Sequence, residues 1–214
     1  MEKAQLKRIF EFLEDKEEQN PPFMWKHMND MPLTEKDLTI EGDLDLEYRN
    51  ITSLPEGLKV NGYLNLYGCK YLKSLPKGLE VGDLKLYNTE LTSLPEGLKV
   101  GGNLSLYKTK ITSLPEGLEV GGNFSLVDSK ITSLPEGLKV HRDLDLYNSK
   151  IKILPKGLKV RGKLNLNNSK ITSLPEGLEV GGYLYIYGTN LAKYIDEELR
   201  EMVKPGFIKG KIYR

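Results

Sequence analysis

Few residues in this chain carry chemistry of their own. Cys69 is the single cysteine, and His27 and His141 are the only histidines. That set leaves no disulfide framework, no multi-cysteine zinc site and little for a nucleophile–base pair. The carboxylates are better placed. Asp43, Asp45 and Glu47 alternate, a spacing that sets three carboxylates on one strand face, where they could hold a cation. More commonly such a group is a solvated edge that discourages strand addition. Asp143 and Asp145 repeat the spacing and could form a catalytic acid–base pair, but Lys163, one repeat further on, offers a plainer salt bridge. What remains is tyrosine, 12 in 214 residues and mostly at recurrent positions. Its ring and hydroxyl suit recognition, because they give a large contact area at a small cost in side-chain entropy.

Those positions are set by a repeat. The apolar pairs Leu44/Leu46, Leu64/Leu66, Leu84/Leu86, Leu104/Leu106, Phe124/Leu126, Leu144/Leu146, Leu164/Leu166 and Leu184/Ile186 follow one another at steps of 20. Alternation within a pair predicts a short strand with one face buried, and the constant step predicts strands stacked in register. The Leu-Pro pairs Leu54-Pro55, Leu75-Pro76 and Leu94-Pro95 step by 21 and then 19 before settling at 20. One residue is inserted at Lys70-Tyr71-Leu72 and one is missing before Leu84, so the return segment absorbs the irregularity. In the unit spanning residues 104–123, Leu104, Leu106, Ile111, Leu114, Leu118 and Val120 are expected to point inward. Burying one such side chain stabilises by roughly 1.5–3 kcal/mol. So few cannot close a core alone, and units must stack to share one. Pro115 and Gly117 break any long helix on the return path, which reads as extended or a single helical turn.

Residues alternating with the leucines form three outward columns. The first runs Asp43, Tyr63, Asp83, Asn103, Asn123, Asp143, Lys163, Tyr183. The second runs Asp45, Asn65, Lys85, Ser105, Ser125, Asp145, Asn165, Tyr185. The third runs Glu47, Tyr67, Tyr87, Tyr107, Val127, Tyr147, Asn167, Tyr187. Tyr63, Tyr67, Tyr87, Tyr107, Tyr147, Lys163, Tyr183, Tyr185 and Tyr187 are therefore the candidate binding residues for a protein partner, on a strip of roughly 34 Å. A stacked ladder that stiffens the sheet is the structural alternative. A single-stranded nucleic-acid binder could also use stacked tyrosines. Against it, the columns hold six acids (Asp43, Asp45, Glu47, Asp83, Asp143, Asp145) and two lysines (Lys85, Lys163). A self-assembling component, such as a homodimer paired through these tyrosines, is the third reading. Lys110, Lys130, Lys150 and Lys170 form a separate row, read as a solubilising edge balanced by Glu56, Glu96, Glu116, Glu136 and Glu176.

The pattern resembles the leucine-rich repeat family, whose LxxLxLxxNxL motif maps onto Gly101 to Ile111, with Leu104, Leu106 and Ile111 at the later leucine positions. The first leucine is a glycine in most units. The asparagine position holds Arg49, Cys69, Thr89, Thr109, Ser129, Ser149, Ser169 and Thr189, a ladder expected to point inward with its hydroxyls bonded to backbone between turns. The short unit with LPxxL is similar to the repeats of secreted bacterial effectors and of repeat proteins from bacteria and their phages. The resemblance implies a repeat solenoid with one parallel sheet of about eight short strands, placing the tyrosine columns on a concave face. A three-sided parallel β-solenoid is the alternative if the return segments are also strands. It further implies a protein-binding scaffold, possible bacterial or phage origin, and action on a host protein. The effector ubiquitin ligases that share this repeat carry a separate catalytic domain with a nucleophilic cysteine; residues 192–214 are too short for one and contain no cysteine, so no enzyme and no cofactor is expected.

Caps complete the expectation. Residues 1–30 read as an N-terminal helical cap, with an apolar stripe of Leu6, Ile9, Phe10 and Leu13 and with Phe23, Met24 and Trp25 able to plug the open end. Residues 31–191 are the array. Residues 192–214 are a helix-plus-strand cap carrying Ile195, Leu199 and Met202, then Phe207, Ile208, Ile212 and Tyr213. Lys+Arg of 31 against Asp+Glu of 30 removes the basic excess of a nucleic-acid or membrane-surface binder. No apolar run approaches the ~18 residues of a membrane helix, and no apolar signal region opens the chain. The expected compartment is cytoplasmic, with export by a non-classical route as the alternative.

Overall fold

The computed structural model describes residues 22–214. It is a parallel β-solenoid. The leucine pairs form one ladder, with Leu44, Leu64, Leu84, Leu104, Phe124, Leu144, Leu164, Leu184 and Ile212 paired in sequence across turns. A second ladder runs through Ile40, Val60, Val81, Val100, Val120, Val140, Val160, Val180 and Ile208. The return segment thus carries strands of its own, as the alternative reading required. The two ladders join where Lys59–Asn65 and Glu80–Lys85 run through both. Register shifts between Val60 and Tyr63, which is where the missing residue before Leu84 is taken up. The first ladder keeps its step of 20 because its leucines interdigitate; the bend absorbs the error.

One turn shows how local chemistry closes the loop. Leu104, Leu106, Ile111, Leu114, Leu118 and Val120 are all buried. The chain turns after Leu106 at Lys108, which has φ 51°, and again at Gly117, which has φ 66°. Both lie in the left-handed region that L side chains resist and that glycine, asparagine and aspartate enter most readily. The second corner is glycine in seven successive turns, from Gly57 to Gly177. The first corner is Tyr48, Gly68, Asn88, Lys108, Asp128, Asn148, Asn168 and Gly188, a column whose Asn/Asp/Gly content carries the signal.

The hydroxyl ladder points inward: Thr89, Thr109, Ser129, Ser149 and Ser169 are buried. Its bonds, however, do not run between turns. Thr89 and Thr109 donate to the carbonyls of Leu86 and Leu106 in their own turn, at 2.9 and 3.1 Å. Only the Cys69 thiol crosses, reaching Leu46 O at 3.0 Å. The hydroxyls of Ser129, Ser149 and Ser169 have no hydrogen-bond partner. The tight corner brings the carbonyl three residues back within reach, closer than the neighbouring turn, and the threonine methyl helps hold the rotamer that uses it.

Both ends are covered. The helix Pro22–Met28 buries Phe23 and Met24 against the first turn. Lys26 reaches Asp37 at 2.7 Å, and Thr34 and Asp37 form a capping box on the helix Glu35–Leu38. The expected helix over residues 2–18, with its stripe of Leu6 to Leu13, lies outside the described residues. At the other end the register steps from Leu184 to Ile212, a span of 28 residues in place of 20. The extra length holds the 3-10 turn Asn190–Lys193 and the helix Asp196–Met202. Leu191, Leu199 and Val203 are buried there, whereas Ile195, expected inward, is exposed because it precedes the helix as its N-cap. Arg200 donates to the carbonyls of Ile208 and Gly210, occupying acceptors that a terminal strand would otherwise present to another chain.

The ladder gives a paired prediction. Thr109→Val keeps the shape and removes one hydrogen bond, while Leu106 O keeps the Thr109 amide at 3.3 Å. The expected cost in urea unfolding is about 0.5–1 kcal/mol. Ser149→Ala removes a buried hydroxyl with no partner and is expected to be neutral or stabilising. Equal costs for the two would show that the serine hydroxyls are bonded.

Candidate binding face

The first ladder presents the three columns, and each is held by a different force. In column one, side-chain oxygens cap the backbone of the next turn. Asp43 accepts from the Tyr63 amide at 2.9 Å, Asp83 from Asn103 at 2.6 Å, Asn103 from Asn123 at 2.9 Å, Asn123 from Asp143 at 3.1 Å and Asp143 from Lys163 at 2.7 Å. The salt bridge expected between Asp143 and Lys163 is thus replaced by a bond to the Lys163 backbone amide. The bend after the second ladder leaves those amides without a strand partner, so a short side-chain acceptor satisfies them.

Column two works within its own strand. Asp45, Asn65, Asp145 and Asn165 accept from the amides of Glu47, Tyr67, Tyr147 and Asn167, two residues on, at 2.9 to 3.1 Å. Asn165 also donates to Asp145 at 3.0 Å. Asp43 and Asp45 are therefore committed in part to backbone amides, Glu47 accepts from the Asn65 side chain at 3.1 Å, and no group of three or more potential metal ligands forms among the described residues. The Asp145 carboxyl titrates above the usual range; burial is the main cause, opposed by the bonds from Tyr147 and Asn165 and reinforced by the Asp143 charge.

Column three splits in two. Tyr67 and Tyr87 stack at 4.7 Å with planes 6° apart, and Tyr87 and Tyr107 lie 4.8 Å apart at 37°. Tyr48, from the first corner, adds an edge contact to Tyr67 at 4.7 Å. Its hydroxyl is pushed up to about 12, first by the hydrogen bond with Tyr67 and then by burial. Lys85 sits 4.8 Å over the Tyr63 ring, and Lys108 sits 4.9 Å over Tyr107. A shallow groove of about 290 Å³ lies here, bounded by Glu47, Asn65, Tyr67, Lys85, Tyr87, Ser105 and Tyr107. Rings stacked face to face offer a visitor mainly their edges. In this half the tyrosines form the stiffening ladder.

Beyond Val127 the rings are free of that stack. Tyr147 is 40% exposed, Tyr183 41% and Tyr187 63%. Tyr185 stacks at 4.9 Å on Tyr213 of the final strand, and Tyr183 meets both edge-on at 6.5 and 5.6 Å. Lys163 is exposed beside them. The candidate residues thus fall into a packed set (Tyr63, Tyr67, Tyr87, Tyr107, Tyr185) and an open set (Tyr147, Lys163, Tyr183, Tyr187). Sequence reasoning missed Tyr48 and Tyr213 as members. Ile212-Tyr213 has the same apolar–tyrosine order as Leu184-Tyr185 and pairs with it, which was the signal available.

Other candidates are accounted for elsewhere. The Cys69 thiol is pushed up to about 11 by burial, which suppresses the thiolate a nucleophile needs. His141, at a bend glycine's position, meets Glu119 at 2.7 Å and, ahead of Lys139, is the main cause that lowers its carboxyl. Glu119 belongs to a charged row along the second ladder, where Glu80 pairs with Lys99 at 2.6 Å and Glu179 with Lys159 at 2.8 Å. In the lysine row, Lys110 pairs with Glu90. No helix among the described residues is long and apolar enough to cross a membrane. No family model matches the chain, and no curated protein matches it in sequence.

Asp145 supplies the test of this geometry. Asn65 and Asn165 accept the same bond from the same column, so Asp145→Asn should keep the Tyr147 contact without a half-buried charge. A carboxyl raised by burial weakens the fold while ionised and stops doing so once protonated. Asp145→Asn is therefore expected to raise the urea midpoint at neutral pH. The advantage should vanish as pH falls through the raised Asp145 titration. A variant less stable than wild type at pH 7 would mean that the charge itself is needed.

Proposed function

We propose that this protein is a binding scaffold, similar to leucine-rich repeat proteins in plan, that captures another protein on the open tyrosine set. The observation that carries this reading is the placement of Tyr147, Tyr183 and Tyr187, exposed, on strands whose backbone is locked on both sides. Rigid aromatic groups on a fixed frame lose little entropy on binding. The acids of columns one and two, turned to backbone amides, contribute to the frame while keeping the face unsuited to a phosphate backbone.

The photo-crosslinker p-benzoylphenylalanine placed at Tyr183, at Tyr187 or, as a control, at Lys130 tests this in extracts of the source organism. A discrete protein adduct from positions 183 and 187, absent from 130 and removed by ribonuclease-resistant competition with unlabelled wild type, is expected. The same adducts from all three positions, or none, would set the reading aside.

A second reading, self-association, is favoured by the register of the two ends. Lys209 and Lys211 of the last turn fall in the columns that open with Glu41 and Asp43 in the first. A second copy laid end to end would set Lys211 against Asp43 along the first ladder, whereas the Lys209 end of the second ladder is closed by Arg200 on the carbonyls of Ile208 and Gly210. Sedimentation velocity should then show concentration-dependent association at low salt that high salt and Lys211→Glu both abolish. A monomer under every condition removes this reading.

A further inference from the structure

Column three would be one continuous ring stack but for Val127 and Asn167. Where tyrosines occupy successive turns, their centroids stand 4.7 and 4.8 Å apart. Tyr147 and Tyr187 lie two turns apart, on either side of Asn167, so the in-register spacing sets them at about twice the strand separation, roughly 9.6 Å. That interval is one aromatic ring wide. A planar group entering it would stand at stacking distance from both walls.

The floor is held in place. Asn167 Oδ1 accepts from the Tyr187 amide at 2.7 Å, and the Asn167 amide donates to Asn165 at 3.1 Å. The short side chain is therefore tied to the backbone of the next turn and reaches less far outward than the tyrosine rings on either side. The two walls are the most exposed tyrosines of the column, and among the described residues neither touches another ring. At the other break, Val127, half-buried as Asn167 is, has on one side Tyr107, which already packs against Tyr87.

We propose that Tyr147 and Tyr187 form a slot over Asn167 that receives one aromatic side chain of a protein partner. This rests on the reading of the face as a protein-binding surface and names its recognition element. Stacking on two faces selects a flat ring. Asp145, on the Tyr147 strand, and the balance of six acids to two lysines across the columns oppose a phosphate-bearing base, which leaves a protein side chain as the occupant.

N-acetyltryptophanamide is the probe, followed by NMR on the full chain. Saturable shifts confined to Tyr147, Asn167 and Tyr187 are expected. Tyr187→Ala removes one wall, and Asn167→Tyr fills the slot from within. Each is expected to weaken the probe by about tenfold or more. Asn167→Tyr also gives up the bond to the Tyr187 amide, so its melting is followed only to show that the variant is folded. Probe affinity unchanged in either variant, or shifts spread evenly over the other tyrosines, would each overturn the slot. Crosslinking from Tyr183 separates the two ideas: adducts that persist while the probe fails leave the face standing without the slot, and loss of both removes the face.

Discussion

Everything here depends on parallel backbone pairing between turns. Bonds such as Leu104 N to Asn123 O and Leu144 N to Lys163 O, both at 2.9 Å, hold each turn over the next. Once that register is set, a residue type recurring in sequence becomes a column in space at one strand spacing. Leucine columns become a core, aspartate and asparagine columns become caps for bend amides, and tyrosine columns become ring stacks. A single irregular turn would propagate through every column. The insertion near Lys70 and the deletion before Leu84 therefore cancel across the bend between Val60 and Tyr63, and do not pass into the leucine ladder.

The same regularity makes interruptions informative. A column that is filled packs against itself, as Tyr67, Tyr87 and Tyr107 do, and its residues stabilise the frame more than they recognise anything. A column that is broken leaves rings unpaired. Val127 and Asn167 interrupt the tyrosines in the half of the face where exposure is greatest and where Tyr183, Tyr185 and Tyr213 gather. Packed and open rings thus come from one residue type, separated by whether its neighbours one turn away are tyrosine as well.

A solenoid also has ends, and this one treats them unequally. Phe23 and Met24 cover the first turn with apolar side chains, while the last turn is closed by a helix whose Arg200 occupies edge carbonyls. The first ladder keeps an acidic start and a basic finish. That polarity is what the proposed end-to-end association rests on.

Much of the fold was legible because period and alternation are properties of the chain alone. The leucine pairs, the buried Ser/Thr positions and the three outward columns follow from spacing, since a side chain's direction in a strand is fixed by its parity. Three things were not legible. The second ladder stayed open between an extended path and a helical turn, because Leu118 and Val120 alternate but Pro115 and Gly117 stand just before them. The hydroxyl bonds of Thr89 and Thr109 turn back within a turn because the left-handed corner at Asn88 and Lys108 brings a near carbonyl closer than the next strand. The partner of Tyr185 was settled by the tertiary structure: it stacks on Tyr213, because the last turn takes 28 residues in place of 20 to hold the closing helix, a step that the period of the chain does not give.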